Sequence, residues 1–279
     1  MKLTQKIKNL LKRSGFIIGA VRALRAGLVD IKKLYWFAIR TRKIQTYLDN
    51  NSIRKLQLAT SNSLLAGWLN TDLLPTSQRV LYLDATTRFP FKDDTFDYIY
   101  SEHMIEHLDH PSALSMLHEC FRVLRPGGRI RISTPDLRVL VGLLSEERTA
   151  RQNHYIDFMT RRFVPDAEYC TEVFVINNAF RAWGHQFLYD RATLRITLAR
   201  VGFEGIDYYQ PGVSDDENLR GIDLHGRVMG CEEINQFEAF AIEGLVPNPK
   251  RPGIRQAQGL RAGDPPPHSF GMAGRASST

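Results

Sequence analysis

The sequence of 279 residues is poor in cysteine. Its three cysteines, Cys120, Cys170 and Cys231, lie far apart and form no C-x-x-C pair. An odd number at such spacing argues against a disulfide scaffold and against a four-cysteine zinc site, and it fits a reducing compartment. Apolar residues make up 43% and charged residues 24%, which is ordinary for a soluble globular chain. We therefore expect a cytoplasmic globular protein, with association at a membrane surface left open.

Long apolar runs are also lacking. The longest stretch in the N-terminal part, Phe16 to Val21, is too short to span a bilayer, and Arg22 and Arg25 follow it directly. It is short for a signal-peptide core as well, and no clear small-residue cleavage site follows. The sequence therefore predicts neither a membrane span nor a secretory signal.

The first 50 residues read as a basic helical extension. Apolar residues recur there close to a 3.6-residue period, and twelve Lys or Arg stand against Asp30 and Asp49. A basic amphipathic helix can lie on an anionic membrane, and it can equally pack on the domain or on a partner protein. Both uses stay open at this point.

Basic charge is scarce between residues 51 and 245. That stretch holds 20 basic and 27 acidic residues, so the overall charge of +7 belongs to the two ends of the chain. An acidic core is a poor surface for phosphate backbones, and we expect no nucleic-acid partner. Residues 246–279 are rich in Pro, Gly, Ala and Ser and are predicted to be a disordered tail.

The stretch 51–245 alternates between strand and helix patterns. Helices are expected from Pro111 to Leu124 and after the capping residue Asp190 as far as Arg200. Strands are expected at Lys55–Leu58, Arg79–Leu83, Thr95–Tyr100, Arg129–Ser133, Gly205–Tyr209 and Phe237–Glu243. This order predicts a doubly wound, Rossmann-like α/β domain with a mostly parallel sheet, whose ligands bind at the carboxyl ends of the strands.

Four motifs follow one another along the chain, and their order and spacing are informative together. They are G-W-L-N-T-D from Gly67, S-E-H-M-I-E-H-L from Ser101, F-R-V-L-R-P-G-G from Phe121 and G-H-Q-F-L-Y-D from Gly184. Together they resemble the class I S-adenosylmethionine-dependent methyltransferases, in particular a small-molecule branch of the type 11 kind. The resemblance covers about residues 55–243. It implies S-adenosyl-L-methionine as cofactor and methyl transfer to a small-molecule or glycan-type acceptor.

The resemblance also implies roles for single residues. Asp72 would accept hydrogen bonds from the ribose hydroxyls, and Asp84 would lie near the adenine amino group. Ser101 to His103 would face the methionine portion or the sulfonium, with Ser101 and His103 as the assigned cofactor residues. The plainer alternatives are turn or cap aspartates and a strand end with only a structural role.

One departure from the family pattern falls on the first loop. Ala59 and Ser61 stand where the family has the glycines that let the backbone approach the cofactor. A left-handed conformation at either residue would cost about 1–2 kcal/mol. Ala59 and Ser61 are still assigned to the cofactor site, but the departure motivates a second hypothesis, namely a noncatalytic scaffold or partner-binding protein that keeps only the fold.

The turn after the third predicted strand carries the titratable candidates. His103 and His107 are the candidate bases for an acceptor that must lose a proton, with Glu106 beside them. His103, Glu106 and His107 also match H-x-x-E-H, the inverted zinc-protease motif. Zinc binding there needs both histidines on one helix face and a third ligand, whereas this motif begins at the end of a buried strand. We therefore predict no metal site from the sequence.

Overall fold

The computed structural model describes residues 36–37, 39–61 and 63–248. The predicted N-terminal extension lies outside the described residues up to residue 35, and so does the predicted tail from residue 249. Within the described chain no helix is long and apolar enough to cross a membrane.

Seven strands of the described chain form one sheet. They are β1 (Lys55–Leu58), β2 (Leu69–Asp72), β3 (Leu81–Tyr82), β4 (Phe96–Glu102), β5 (Leu124–Pro135), β6 (Glu204–Tyr209) and β7 (Ala239–Leu245). The sheet order is β3-β2-β1-β4-β5-β7-β6, with β1 to β5 parallel and β7 antiparallel to both β5 and β6. The predicted doubly wound, mostly parallel α/β fold is confirmed.

The order of the strands places the site. The chain runs from β1 outward to β3 and then crosses to β4 on the other side of β1. The switch point therefore lies between β1 and β4, where parallel α/β sheets bind their ligands at the carboxyl ends of the strands.

The described chain also contains helices before, between and after the strands. They are α1 (39–50), α2 (His110–Val123), α3 (Leu137–Gly142), α4 (Ala150–Phe163), α5 (Glu172–Arg181), α6 (Arg191–Val201), α7 (His225–Met229) and α8 (Glu232–Glu238). Ile105–His107 form a short 3-10 turn between β4 and α2. Helix α6 begins as predicted, because the Asp190 side chain accepts a hydrogen bond from the backbone N–H of Thr193 at 2.8 Å.

Several elements differ from the sequence patterns, among them β5, which begins at Leu124 and not at Arg129. Leu69–Asp72 forms β2, although L-N-T-D carries little strand signal. The strand predicted from Arg79 is only Leu81–Tyr82. Phe237 belongs to α8 and not to the last strand, because its ring packs against Tyr155 of α4 with the centroids 5.1 Å apart.

Helix α1 packs on the domain. Ile44 is buried, and the Tyr47 hydroxyl donates to the carbonyl of Lys55 at 2.9 Å while accepting from the N–H of the same residue at 2.8 Å. The Lys43 ammonium donates to the carbonyl of Gln78 at 2.7 Å. Of the two uses left open for the N-terminal segment, residues 39–50 therefore take the packing role.

Two hydrophobic clusters frame the switch point. The larger one sits between the sheet and helices such as α2 and α6, and includes Leu56, Ile99, Leu117 and Leu198. The smaller one lies among α3, α4, α5, α7 and α8, and its buried members include Leu140, Tyr155, Met159, Leu188 and Met229. These helices form a cap beyond β5, and the site lies between the cap and the ends of the strands.

Candidate functional site

A cavity of about 720 Å³ opens at the carboxyl ends of β1, β2 and β4. This volume lies in the range of small-molecule and cofactor sites, roughly 300–1,000 Å³. One part is lined by the strand ends, including Ala59, Ser61, Asp72 and Asp84. The other part is lined by the cap, including Leu140, Tyr155, Met159, Leu188 and Met229.

The loop after β1 follows the path that glycines normally permit. Ala59 has φ 49° and Ser61 has φ 46°, both in the left-handed region. The Asp72 carboxylate accepts from the N–H of Ser61 at 2.8 Å and from the N–H of Leu74 at 2.9 Å. A backbone hydrogen bond of 2.9 Å from Thr60 to Thr71 joins the same loop to β2.

This loop fits the implied cofactor. The cavity keeps its volume with the Cβ atoms of Ala59 and Ser61 in place, so these atoms do not fill the cradle that glycines would leave. The carboxylate of Asp72 stands at the same edge, although one oxygen already holds the loop through Ser61 and the other accepts from Leu74 in the turn after β2.

Asp84 follows β3 and also lines the cavity. Its carboxylate accepts from the N–H of Thr86 at 2.9 Å and from the hydroxyl of Thr86 at 2.7 Å. The turn role that the sequence left open is therefore present at Asp84. One carboxylate oxygen, Oδ1, makes both of these bonds, and the ligand role stays a prediction.

Residues at the end of β4 differ in whether they line the cavity. Ser101 is 1% exposed and does not line the cavity, and its hydroxyl has no hydrogen-bond partner among the described residues. The neighbouring Glu102 does line the cavity. Its carboxylate accepts from the N–H groups of Leu224 at 3.0 Å and His225 at 2.9 Å, and thereby holds the start of α7. Burial raises the pKa of Glu102.

His103 pairs with Glu106 across one turn. Its Nδ1 lies 3.3 Å from Oε1 of Glu106, and its backbone has φ 45°. Glu106 is fully buried, and its Oε2 accepts from the hydroxyl of Thr134 at 3.0 Å. Burial acts to lower the pKa of His103, but the hydrogen bond and charge of Glu106 outweigh it and raise this pKa to about 9. Burial acts the other way on Glu106, and the contact with His103 still lowers the pKa of that carboxyl.

His225 stacks on His103. The ring centroids are 3.6 Å apart and the ring planes make an angle of 17°. Burial, reinforced by the positive charge of His103, lowers the pKa of His225 to about 3. This second ring comes from α7, far along the chain, and no sequence motif singled it out for this contact.

His107 and His185 form a second histidine pair on the cavity wall. Their centroids are 4.9 Å apart and their planes are nearly perpendicular, at 77°. Nδ1 of His185 lies 2.7 Å from the carbonyl of Ala179, and burial lowers the pKa of His185. The pair brings the G-H-Q-F-L-Y-D motif against the turn after β4.

The cap supplies the remaining wall. Glu238, at the end of α8, is 6% exposed, and its Oε2 accepts from the Tyr155 hydroxyl at 2.7 Å. Burial raises the pKa of Glu238. The aromatic rings of Tyr155, Phe163 and Trp183 line the cavity, and Arg162 joins them.

Comparison with known proteins gives one family match. A family described as "Methyltransferase domain" matches residues 55–132, which run from β1 into β5 and include the loop, both aspartates and the turn after β4. No curated protein matches the chain.

Several solved structures are similar. One is phosphoethanolamine N-methyltransferase 2 of Haemonchus contortus in complex with S-adenosyl-L-methionine, with 13% identity, a TM-score of 0.38 and coverage of 71% of this chain. This chain spans only about half (49%) of that protein. A SAM-dependent methyltransferase of Archaeoglobus fulgidus has 14% identity and a TM-score of 0.40, covering 76% of this chain and 93% of that one. One of Mesorhizobium loti has 15% identity and a TM-score of 0.41, covering 70% and 91%. At these TM-scores the likenesses add no weight to a functional assignment.

Proposed function

We propose that the chain is a class I S-adenosylmethionine-dependent methyltransferase that methylates a small-molecule or glycan-type acceptor held between the strand ends and the cap. One observation carries the proposal. The matched segment contains β1 to β4 and the turn that follows, and its residues line one side of a cavity whose other side is the cap.

The residues at the strand ends fit the cofactor. We assign Ala59 and Ser61 to the close backbone approach, Asp72 to the ribose hydroxyls and Asp84 to the adenine. We assign the end of β4 to the methionine portion, with His103, which directly follows β4, in the lining and Ser101 behind it. When bound, S-adenosylmethionine supplies a methyl group whose bond to the positively charged sulfur breaks as the acceptor's lone pair attacks, and the bonding electrons stay on sulfur.

The work left to the protein is to orient the acceptor, to exclude water and to take a proton where the acceptor carries one. Nε2 of His103 is buried and has no hydrogen-bond partner among the described residues, while Nδ1 is engaged by Glu106. We assign His103 the contact with the acceptor's reactive group. Because its pKa is raised to about 9, His103 can take a proton only above about pH 9, and His107, one turn further along the wall, is the other candidate base.

The cap favours an acceptor with an apolar part. Leu140, Met159, Leu188 and Met229 present hydrocarbon and thioether groups to the cavity, and Arg162 offers a cation in the same wall. A glycan acceptor would use the Trp183 and Phe163 rings, whose centroids lie 5.3 Å apart. These surfaces support a small acceptor of mixed character.

The test is methyl transfer from S-adenosylmethionine with a labelled methyl group, offered to a panel of simple phenols, aliphatic alcohols and mono- and disaccharides. At about pH 9–10, where His103 with its pKa of about 9 is largely neutral, His103→Gln should lower kcat by about 10²–10⁴-fold for any acceptor that must lose a proton. His118→Gln, on the exposed side of α2, is the matched control and should leave kcat unchanged. Equal rates for wild type and His103→Gln would remove the assigned role of His103.

The basic N-terminal segment supports a further contact. With twelve Lys or Arg against two Asp in residues 1–50, we propose that it meets an anionic surface, either a membrane or a protein, in a reducing compartment such as the cytoplasm. The full chain should sediment with phosphatidylserine vesicles but not with phosphatidylcholine vesicles. Replacement of Arg22, Arg25, Lys32 and Lys33 by Gln should abolish this sedimentation. If the wild type does not sediment with either vesicle, the surface is not a membrane.

A further inference from the structure

Two groups of three potential metal ligands line the cavity. In each group the ligand atoms lie within 4.8 Å of one another. The groups are His103, His225 and Glu238, and Glu106, His107 and His185. All six residues contribute to the wall between the strand ends and the cap.

The first group has the wrong ring geometry for an ion. A ligating imidazole nitrogen directs its lone pair along the plane of its own ring, and a zinc–nitrogen bond is only about 2.0–2.1 Å long. The rings of His103 and His225 are stacked 3.6 Å apart at 17°, so their nitrogen lone pairs run nearly parallel and do not converge on one point.

The second group lacks this obstacle. The ring planes of His107 and His185 stand at 77° to each other, and one ring nitrogen of each lies within 4.8 Å of a carboxylate oxygen of Glu106, so both nitrogens can meet one ion. Nδ1 of His185 lies 2.7 Å from the carbonyl of Ala179, to which a protonated Nδ1 donates. This contact leaves Nε2 as the basic nitrogen, which is the usual arrangement around a metal-bound histidine.

The carboxylate of Glu106 is also prepared as a ligand. Oε2 is oriented by the hydroxyl of Thr134 at 3.0 Å. Oε1 is buried without a hydrogen-bond partner among the described residues, and its ionic contact with His103 is long, at 3.3 Å. The charge of His103 partly compensates this oxygen, and a carboxylate oxygen has a second lone pair that remains available to an ion.

We propose that Glu106, His107 and His185 bind one divalent transition-metal ion, with zinc as the best match. Two histidines and one carboxylate form the ligand set of catalytic zinc sites, which keep a fourth position open. All three residues line the cavity, so the open position faces the space for the acceptor.

Only two of the three H-x-x-E-H residues belong to the proposed site. The motif's second histidine and its glutamate join the ion, while its first histidine, His103, stacks on His225 instead. The third ligand, His185, comes from the loop before α6 and is invisible to a local motif search. An ion in this place binds an acceptor hydroxyl and lowers its pKa, so the site extends the proposed function without depending on it.

Binding is measured on the full chain after dialysis against a chelator. We expect zinc titrated into the wild type in a calorimeter to bind with a stoichiometry of one. His185→Ala and Glu106→Gln should each weaken zinc binding at least as much as the roughly 10–100-fold that loss of an outer-shell partner costs, and Thr134→Val should weaken it by about that amount. His118→Ala and His225→Ala should bind zinc as the wild type does, and circular dichroism checks that each variant is folded.

Cobalt as a substitute ion identifies the ligands. We expect visible d–d bands that disappear in His185→Ala, without an intense thiolate-to-cobalt band. A thiolate band would place the ion on cysteine and overturn the proposal. Loss of zinc binding in His225→Ala alone, or no zinc binding by the folded wild type, would overturn it as well. None of these readouts needs methyl transfer, so failure here leaves the proposed function standing.

Discussion

The carboxylate of Asp72 accepts a hydrogen bond from the backbone N–H of Ser61 at 2.8 Å. This bond ties the end of β2 to the loop after β1 at a residue whose φ is 46°. The loop therefore keeps the left-handed path of a glycine loop at Ser61, and also at Ala59, with side chains at both positions. Asp72 is in a position to offset part of the conformational cost and also to meet the cofactor.

Replacing Ala59 by Gly tests the cost of this path. Relief of the left-handed strain should raise the free energy of unfolding by about 1–2 kcal/mol. The greater freedom of glycine in the unfolded chain should lower it by about 0.4–1 kcal/mol. We expect unchanged or slightly greater stability in urea unfolding, and S-adenosylmethionine affinity raised by up to about tenfold.

The control for this change is Ala192→Gly. Ala192 is an exposed residue inside α6, where glycine should only destabilise, by about 0.5–1 kcal/mol. If Ala59→Gly destabilised the protein as much as Ala192→Gly does, the strain at Ala59 would be absent.

A buried ion network supports the site from below. The guanidinium of Arg131 on β5 is fully buried and contacts Asp223 and Glu243, and Asp223 also accepts from the Tyr100 hydroxyl at 3.1 Å. Asp223 comes two residues before His225, so the network fixes the approach to α7. Removing one partner of such a network leaves a buried charge unpaired.

We therefore expect Arg131→Met to lower the free energy of unfolding by about 3–5 kcal/mol, measured by urea denaturation. Arg138→Met is the control, because Arg138 is 75% exposed and its ion pair with Asp190 contributes about 0–1 kcal/mol. Similar losses in the two variants would contradict the central role given to Arg131.

Stability at acid pH should depend on Glu119. Its pKa is lowered chiefly by the hydrogen bond from Arg122, and its carboxylate also accepts from the N–H of Phe89 at 2.7 Å. A carboxyl with a lowered pKa in the folded state stabilises the fold above its unfolded pKa of about 4.3, and this stabilisation disappears as the pH falls through the folded pKa.

Glu119→Gln should therefore cost stability at neutral pH and little at about pH 2–3, so that the urea midpoint of the variant falls less steeply with acid. The exposed Glu147→Gln serves as control and should run parallel to the wild type. Parallel curves for all three proteins would show that Glu119 does not couple folding to pH.

The sequence predicts much of this fold, because the signals for its helix ends and strands are local. Asp190 caps α6, Gly202 ends it at φ 119°, and the alternation of strands and helices predicts the parallel sheet. The buried Arg131 is different. In R-I-R-I-S it has the strand pattern of a solvent-facing residue, and only partners far along the chain make it an internal one.

The site residues likewise fall into those predicted from local motifs and those that only distant contacts bring together. Asp72, Asp84, His103 and His107 are predicted from motifs near strand ends, and all four line the cavity. Glu238 is not predicted, and neither are the contacts of Glu102 and His225, because these contacts join β4, α7 and α8, which are distant in the chain. Ser101 is predicted at the cofactor site but does not line the cavity, because alternation along β4 turns its side chain away from it.

Binding of S-adenosylmethionine to the full chain, measured by calorimetry, tests the central claim most directly. We predict micromolar affinity for the wild type, weakened at least about tenfold in Asp72→Ala and unchanged in Asp207→Ala, an exposed position on β6. No binding by the folded wild type up to millimolar cofactor would contradict the claim, and equal binding by Asp72→Ala would remove Asp72 from the site.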